Sequence, residues 1–246
     1  MNGEEKMNDD IEMAQSIAEI TAVHPATMRV MESVGLDYCC GGRRSLYAAC
    51  EEAGIDPQAL LATLRATEKG PEPDWSAMGP VELVDQIEAT HHAYLHTELD
   101  RLGALVEKVA TKHAVRHLEL NEVRTVFTEL SEEFVPHLAK EERVLFPMIR
   151  ELASSSITPT FERGSIENPI SAMLLEHDRV GELLKGLRTL TSDYQTPANG
   201  CRSYRALYDG LAELEADTHL HVHKENNLLF PAVVLLEKSW LVEGER

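Results

Sequence analysis

Two histidine-glutamate pairs recur in this sequence with matching flanks. The stretch HLHVHKENNLLFP, His219 to Pro231, repeats a frame already present in HLAKEERVLFP, His137 to Pro147. In each frame a histidine is followed by Lys and Glu at +3 and +4, then by Leu-Phe-Pro at +8 to +10, and the two frames lie 84 residues apart. On a helix, residues i and i+4 share a face. His137 therefore points with Glu141, and His221 with Glu225. A single pair of this kind is ordinarily a surface contact. These two are in line with apolar residues: Phe134, Val144 and Leu145 in the first frame, Leu214, Leu228 and, at the edge of the face, Val222 in the second. That alignment argues for burial, and a buried carboxylate needs a compensating partner.

The symmetry extends further. His92, in IEATHHAYLHTEL, and His177, in MLLEHDRVGELL, are 85 residues apart. The inward set becomes His92, His137, Glu141, His177, His221 and Glu225. Four imidazoles and two carboxylates exceed the needs of one ordinary metal. They suit two, with both glutamates bridging and two histidines on each ion. Nitrogen and carboxylate ligands with open positions favour redox-active iron, with manganese as the alternative. Zinc would bind the same donors but needs no paired site for structural work.

These residues need long helices to position them. Four are expected, over about 80–108, 114–152, 169–192 and 201–237, with Pro147 a potential kink or end in the second. Antiparallel packing of such helices makes a four-helix bundle. Ahead of it, residues 10–69 read as a small helical domain of four short helices, with Gly35 as a stop and Ser45 and Asp56 as helix caps. A Pro/Gly-rich linker, 70–79, separates it from a bundle spanning 80–237. The fold class expected is all-α.

Composition narrows the function. The net charge of -19 repels nucleic acid and anionic membranes. There is no run of 18 apolar residues, so no membrane span is expected. The acidic N-terminus lacks the pattern of a secretory signal, which makes the cytoplasm the expected location. Four cysteines, two of them adjacent, make a poor disulfide framework.

The adjacent pair lies in LDYCCGG, residues 36–42. Neighbouring cysteines do not easily close a relaxed disulfide, nor chelate a metal in the manner of Cys-x2-Cys. Two glycines are expected to leave the Cys39 and Cys40 thiols accessible, with Arg43 and Arg44 placed to lower a thiol pKa. Thiol redox chemistry, reaction with nitric oxide and transient iron delivery are the candidate roles, beside a plain turn.

HLAKEERVLFP, LEHDRVGELL, HKENNLLFP and LDYCCGG together resemble the hemerythrin-like di-iron proteins that repair iron centres. The likeness covers about residues 10–237. It implies a hemerythrin-like antiparallel four-helix bundle with a small N-terminal double-cysteine domain, and a non-haem di-iron centre. The implied ligands are His92, His137, His177 and His221, with Glu141 and Glu225 as bridges, and matching HHAYLHTEL to the family puts the ligand on His92 rather than His91. It further implies support of iron-sulfur proteins damaged by oxidative or nitrosative stress, a homodimer in some members, and nitric oxide or oxygen as small ligands. His113 matches a histidine near the channel in some relatives. Oxygen-carrying hemerythrins carry a His-x3-His pair on the third helix, whereas Met173 and Gly181 flank His177 at that spacing. A di-iron oxidoreductase acting on nitric oxide or peroxide is the enzymatic alternative, and an iron or oxygen sensor the non-enzymatic one. Glu176 is a candidate to orient its neighbours. His219 and His223 are expected on other faces, and Cys50 and Cys201 as packing or surface cysteines.

Overall fold

A computed structural model describes residues 10–67, 75–155, 161 and 164–244. Among these residues the regular structure is helical, with no β-strand. Residues 70–74, half of the 70–79 linker, lie outside the described residues. By compactness the chain divides into two units. One comprises Met1–Gly79 with Val222–Ala232, the other Pro80–His221 with Val233–Arg246.

The first unit contains α1 (Ile17–Val23), α2 (Met28–Ser33), α3 (Leu46–Ala53) and α4 (Pro57–Arg65), with a 3-10 turn at Pro25–Thr27. The expected caps are present: Ser45 accepts from the Ala48 N–H, and Asp56 from Gln58 and Ala59. Ser16 and Glu19 form a reciprocal capping box that starts α1. Gly35, at φ 73°, follows the end of α2. Ile17, Ile20, Met31, Leu46, Cys50 and Leu64 are buried. The segment Val222–Ala232 belongs to the same unit, and its Lys224 ammonium lies 4.4 Å from the Trp75 ring centre.

In the second unit, the first long helix joins α5 (Pro80–Ile87) to α6 (Ala93–His113) through a π-helical turn at Glu88–His92. The second joins α7 (Glu119–Lys140) to α8 (Phe146–Ser154) through a π turn at Glu141–Leu145. The third is α9 (Glu167–Leu190). The fourth begins with α10 (Arg202–His223) and continues through a π turn at Lys224–Leu229 into α11 (Phe230–Gly244), with Val222–Ala232 counted in the first unit. This is the expected four-helix bundle. Leu99, Leu102, Phe127, Leu130, Leu184 and Leu211 belong to its apolar core, which takes residues from all four helices.

Pro147 neither ends nor breaks the second helix. Proline lacks an N–H and clashes with the carbonyl four residues back. The π turn just upstream takes up an extra residue there, and the same arrangement precedes Pro231. The extra residue also corrects the expected apolar stripe. Leu145 and Leu229 are buried, while Val144 and Leu228 are only half-buried.

Candidate metal centre

His92, His137, His177 and His221 are at most 2% exposed, and Glu141 and Glu225 are fully buried. Their ligand atoms form two quartets. His92, Glu141, His221 and Glu225 make one, and His137, Glu141, His177 and Glu225 make the other, with all ligand atoms of each within 4.8 Å of one another. The two glutamates are common to both. All six residues expected from the spacing therefore come together.

The histidines are arranged in two equivalent pairs. The His92 and His221 rings lie 5.0 Å apart at 67°, and the His137 and His177 rings 4.9 Å apart at 65°. His92 Nε2 is 3.3 Å from the Glu141 carboxylate, and His137 Nε2 is 3.4 Å from it. This repeated geometry is the spatial form of the 84- to 85-residue sequence repeat.

Carboxylates outside the set orient two of these rings. His137 Nδ1 donates to Glu176 at 2.9 Å, and His92 Nδ1 donates to Glu142 at 3.0 Å. With the proton held on Nδ1, each Nε2 presents a lone pair inward, as metal-binding imidazoles require. Glu176 also pairs with Lys140. The hydrogen bond from His137, added to that ammonium, holds the Glu176 carboxyl down at about 2. Burial would raise Glu142, but hydrogen bonds from His96 and His92 outweigh it and keep that carboxyl below its usual range.

Glu142 was not selected from the sequence, although its position directly after Glu141 was a signal. His91 is another addition. It is buried, its Nδ1 lies 2.8 Å from Asp217, and its ring stacks on His221 at 5.4 Å and 3°. His96 is exposed and contacts Glu142. His113, outside the expected ligand set, ends α6 beside Cys201 and Tyr204. That is roughly 30 Å along the helix from His92 at 1.5 Å per residue, too far to join the centre.

The double-cysteine turn also departs from expectation. Cys39 is buried and Cys40 half-buried. Arg44 bonds Glu52 and the Gly41 carbonyl. The Cys39 thiol pKa is pushed up by its contact with Cys40, by burial and by the nearby Asp37 carboxylate. Cys50 is a buried packing residue and Cys201 is exposed. His223 is buried and contacts Thr21 and the Tyr38 carbonyl.

The donor set fits a pair of cations. Two buried carboxylates offset positive charge, while four imidazole nitrogens supply further donors in the same space. Both Glu141 oxygens are buried without a hydrogen-bond donor among the described residues, which leaves their lone pairs for cations. The fold and site thus define a cation-binding helical bundle.

The Hemerythrin HHE cation binding domain family matches residues 83–233, and a domain of unknown function, DUF542, matches residues 13–68. The iron-sulfur cluster repair protein YtfE of Cronobacter sakazakii is 32% identical over 91% of this chain and 98% of its own length. Its counterparts in Yersinia pseudotuberculosis and Escherichia coli O157:H7 are each 32% identical, covering 88% of this chain and 95% of theirs. The chain belongs to the hemerythrin-like two-domain family that includes these proteins. Hemerythrin domains bind a non-haem di-iron centre, and the two quartets fit two iron ions.

Proposed function

We propose that this protein supports the repair of iron-sulfur clusters damaged by oxidative or nitrosative stress, working in the cytoplasm on damaged iron-sulfur proteins. The observation that carries the reading is the pair of buried quartets sharing Glu141 and Glu225. The names of the 32%-identical relatives support the same role. No described helix is long and apolar enough to cross a membrane.

His92 and His221 would hold one iron and His137 and His177 the other, with Glu141 and Glu225, common to both quartets, shared between them. When bound, the iron pair supplies reversible redox chemistry and positions open to small ligands such as nitric oxide or oxygen. The chain's own residues do the rest. Glu176 and Glu142 hold protons on the outer Nδ1 atoms of His137 and His92, fixing the tautomer that aims Nε2 inward. His91, braced by Asp217, stacks against His221 and limits its rotation. Burial of all six donors excludes bulk water. Cys39 and Cys40 are assigned a part in passing iron or electrons, and a homodimer is the proposed assembly.

The test uses an iron-sulfur enzyme inactivated by nitric oxide. Anaerobic incubation with iron-loaded protein and a reductant is expected to restore its activity. The Glu141→Ala variant, at equal protein concentration, is expected not to. Equal recovery with both proteins, or with free ferrous iron alone at the same concentration, would contradict the reading.

A further inference from the structure

We propose that Asp37, Cys39 and Cys40 form a second cation site, distinct from the bundle centre, which takes one borderline-soft divalent ion such as zinc or ferrous iron. The proposal gives a chemical form to the part assigned above to Cys39 and Cys40, and its test does not depend on repair activity.

Its basis is the turn geometry. The Cys39 and Cys40 sulfurs lie 3.9 Å apart, and the Asp37 carboxylate is 3.2 Å from the Cys39 sulfur. The three ligand atoms are all within 4.8 Å of one another. A tetrahedral ion with metal–sulfur bonds of about 2.3 Å separates two bound sulfurs by about 3.8 Å. The observed separation matches that edge, so adjacent cysteines here can share one ion, contrary to the expectation from their spacing.

The turn is held in this form by its surroundings. Asp37 accepts the backbone N–H groups of Cys39, Cys40 and Gly41, each at 3.0 Å. Asn227 Nδ2 donates to the Tyr38 and Cys39 carbonyls at 3.1 and 3.0 Å. A Cβ at Gly42 would fall 2.8 Å from both the Tyr38 carbonyl and the Asn227 side chain, so this close approach requires glycine. Capping by Asp37 accounts for the turn itself. It does not account for the Cys40 sulfur lying beside the Cys39 sulfur, within 4.8 Å of the same carboxylate.

Thiolate donors select a borderline-soft ion over magnesium or calcium. Cys39 is buried, Cys40 half-buried and Asp37 exposed. The set is open on the Asp37 side, unlike a closed four-ligand structural site, and suits exchange. Binding forms two metal–sulfur bonds and one metal–oxygen bond. The two thiols release two protons to solvent, and no oxidation state changes.

Cobalt(II) titration of the full-length, iron-loaded and reduced protein tests the proposal without any activity assay. Thiolate-to-cobalt charge-transfer absorption reports sulfur ligation, which the nitrogen and oxygen donors of the bundle cannot produce. The absorption is expected to saturate at one cobalt per chain and to persist in Cys201→Ser. It is expected to vanish in the Cys39→Ser/Cys40→Ser double variant while circular dichroism and bundle iron remain unchanged. No charge-transfer absorption in the unaltered protein, or its survival in the double variant, would overturn the site. A measurement on the unaltered chain covers failure of the variant to fold. Zinc should slow alkylation of Cys40 at least about tenfold, since a metal-bound thiolate is a poor nucleophile. An unchanged alkylation rate at saturating zinc would likewise overturn it.

Discussion

The Nε2 atoms of His137 and His177 face one another across 3.2 Å in a fully buried space. Glu176 draws the His137 proton to Nδ1, on the far side of the ring. The His137 Nε2 lone pair is thereby directed toward His177 and Glu141, where a bound cation would satisfy it. Several expectations rest on this arrangement.

Glu141→Ala and Glu225→Ala should each lower iron from two per chain to about one or fewer, because each removes a buried anionic donor shared by both ions. His219 lies outside both quartets, and His219→Ala should keep the full complement. Iron analysis of the purified variants checks this. Full occupancy in all three would remove the bridging assignment.

Glu176→Gln and Glu142→Gln test the orienting carboxylates. Loss of such a partner costs about 10–100-fold in metal affinity. Competition with a chelator should show that loss for both variants, with unchanged helix content. An affinity within error of the unaltered protein would mean that burial alone fixes His137 and His92.

Deletion of residues 1–75 should weaken, without abolishing, iron binding by the remaining chain. Val222–Ala232 belongs to the same compact unit as the N-terminal helices. Thr21 and the Tyr38 and Cys39 carbonyls contact His223 and Asn227 in that segment. At about 0.5–1.5 kcal/mol for each hydrogen bond, their loss should cost about 2 kcal/mol or more locally. Hydrogen exchange across 222–232, which includes Glu225, should accelerate in the fragment. Identical protection in the fragment and the full chain would show that the contacts contribute nothing there.

The four cysteines should differ in reactivity at neutral pH. The thiol of Cys201 is exposed, and its pKa is lowered by the N–H of Tyr204 and neighbouring N–H groups at the start of α10. A lowered thiol pKa puts more of the group in the reactive thiolate form, and a raised one puts less. Cys39 is raised by Cys40, burial and Asp37, and Cys50 by burial and nearby carboxylates. Timed alkylation with peptide mass spectrometry should therefore find Cys201 modified first and Cys39 among the slowest. Modification of Cys39 ahead of Cys201 would contradict the electrostatic reading.

The bundle and its six candidate ligands were legible because the chemistry repeats. Two copies of His-x3-Glu, offset by 84 residues and followed by the same Leu-Phe-Pro, carry both helical phase and direction. The π turns were not legible. Two of them precede Pro147 and Pro231 and the third, at Glu88–His92, precedes no proline; the extra residue each inserts shifts the helical phase, so the 3.6-residue period placed Leu228 in the core where Leu229 stands. His91 was hidden by its neighbour His92, since its role depends on Asp217, 126 residues away. The convergence of Cys39 and Cys40 was hidden for a different reason. Adjacent side chains usually diverge, and only the Asp37-capped turn brings these sulfurs together.

Mössbauer spectroscopy of protein purified without oxygen, combined with metal analysis, tests the central claim most directly. Two iron ions per chain, magnetically coupled through shared carboxylates, are the expected result. A single uncoupled iron, or zinc in place of iron, would contradict the shared Glu141–Glu225 centre.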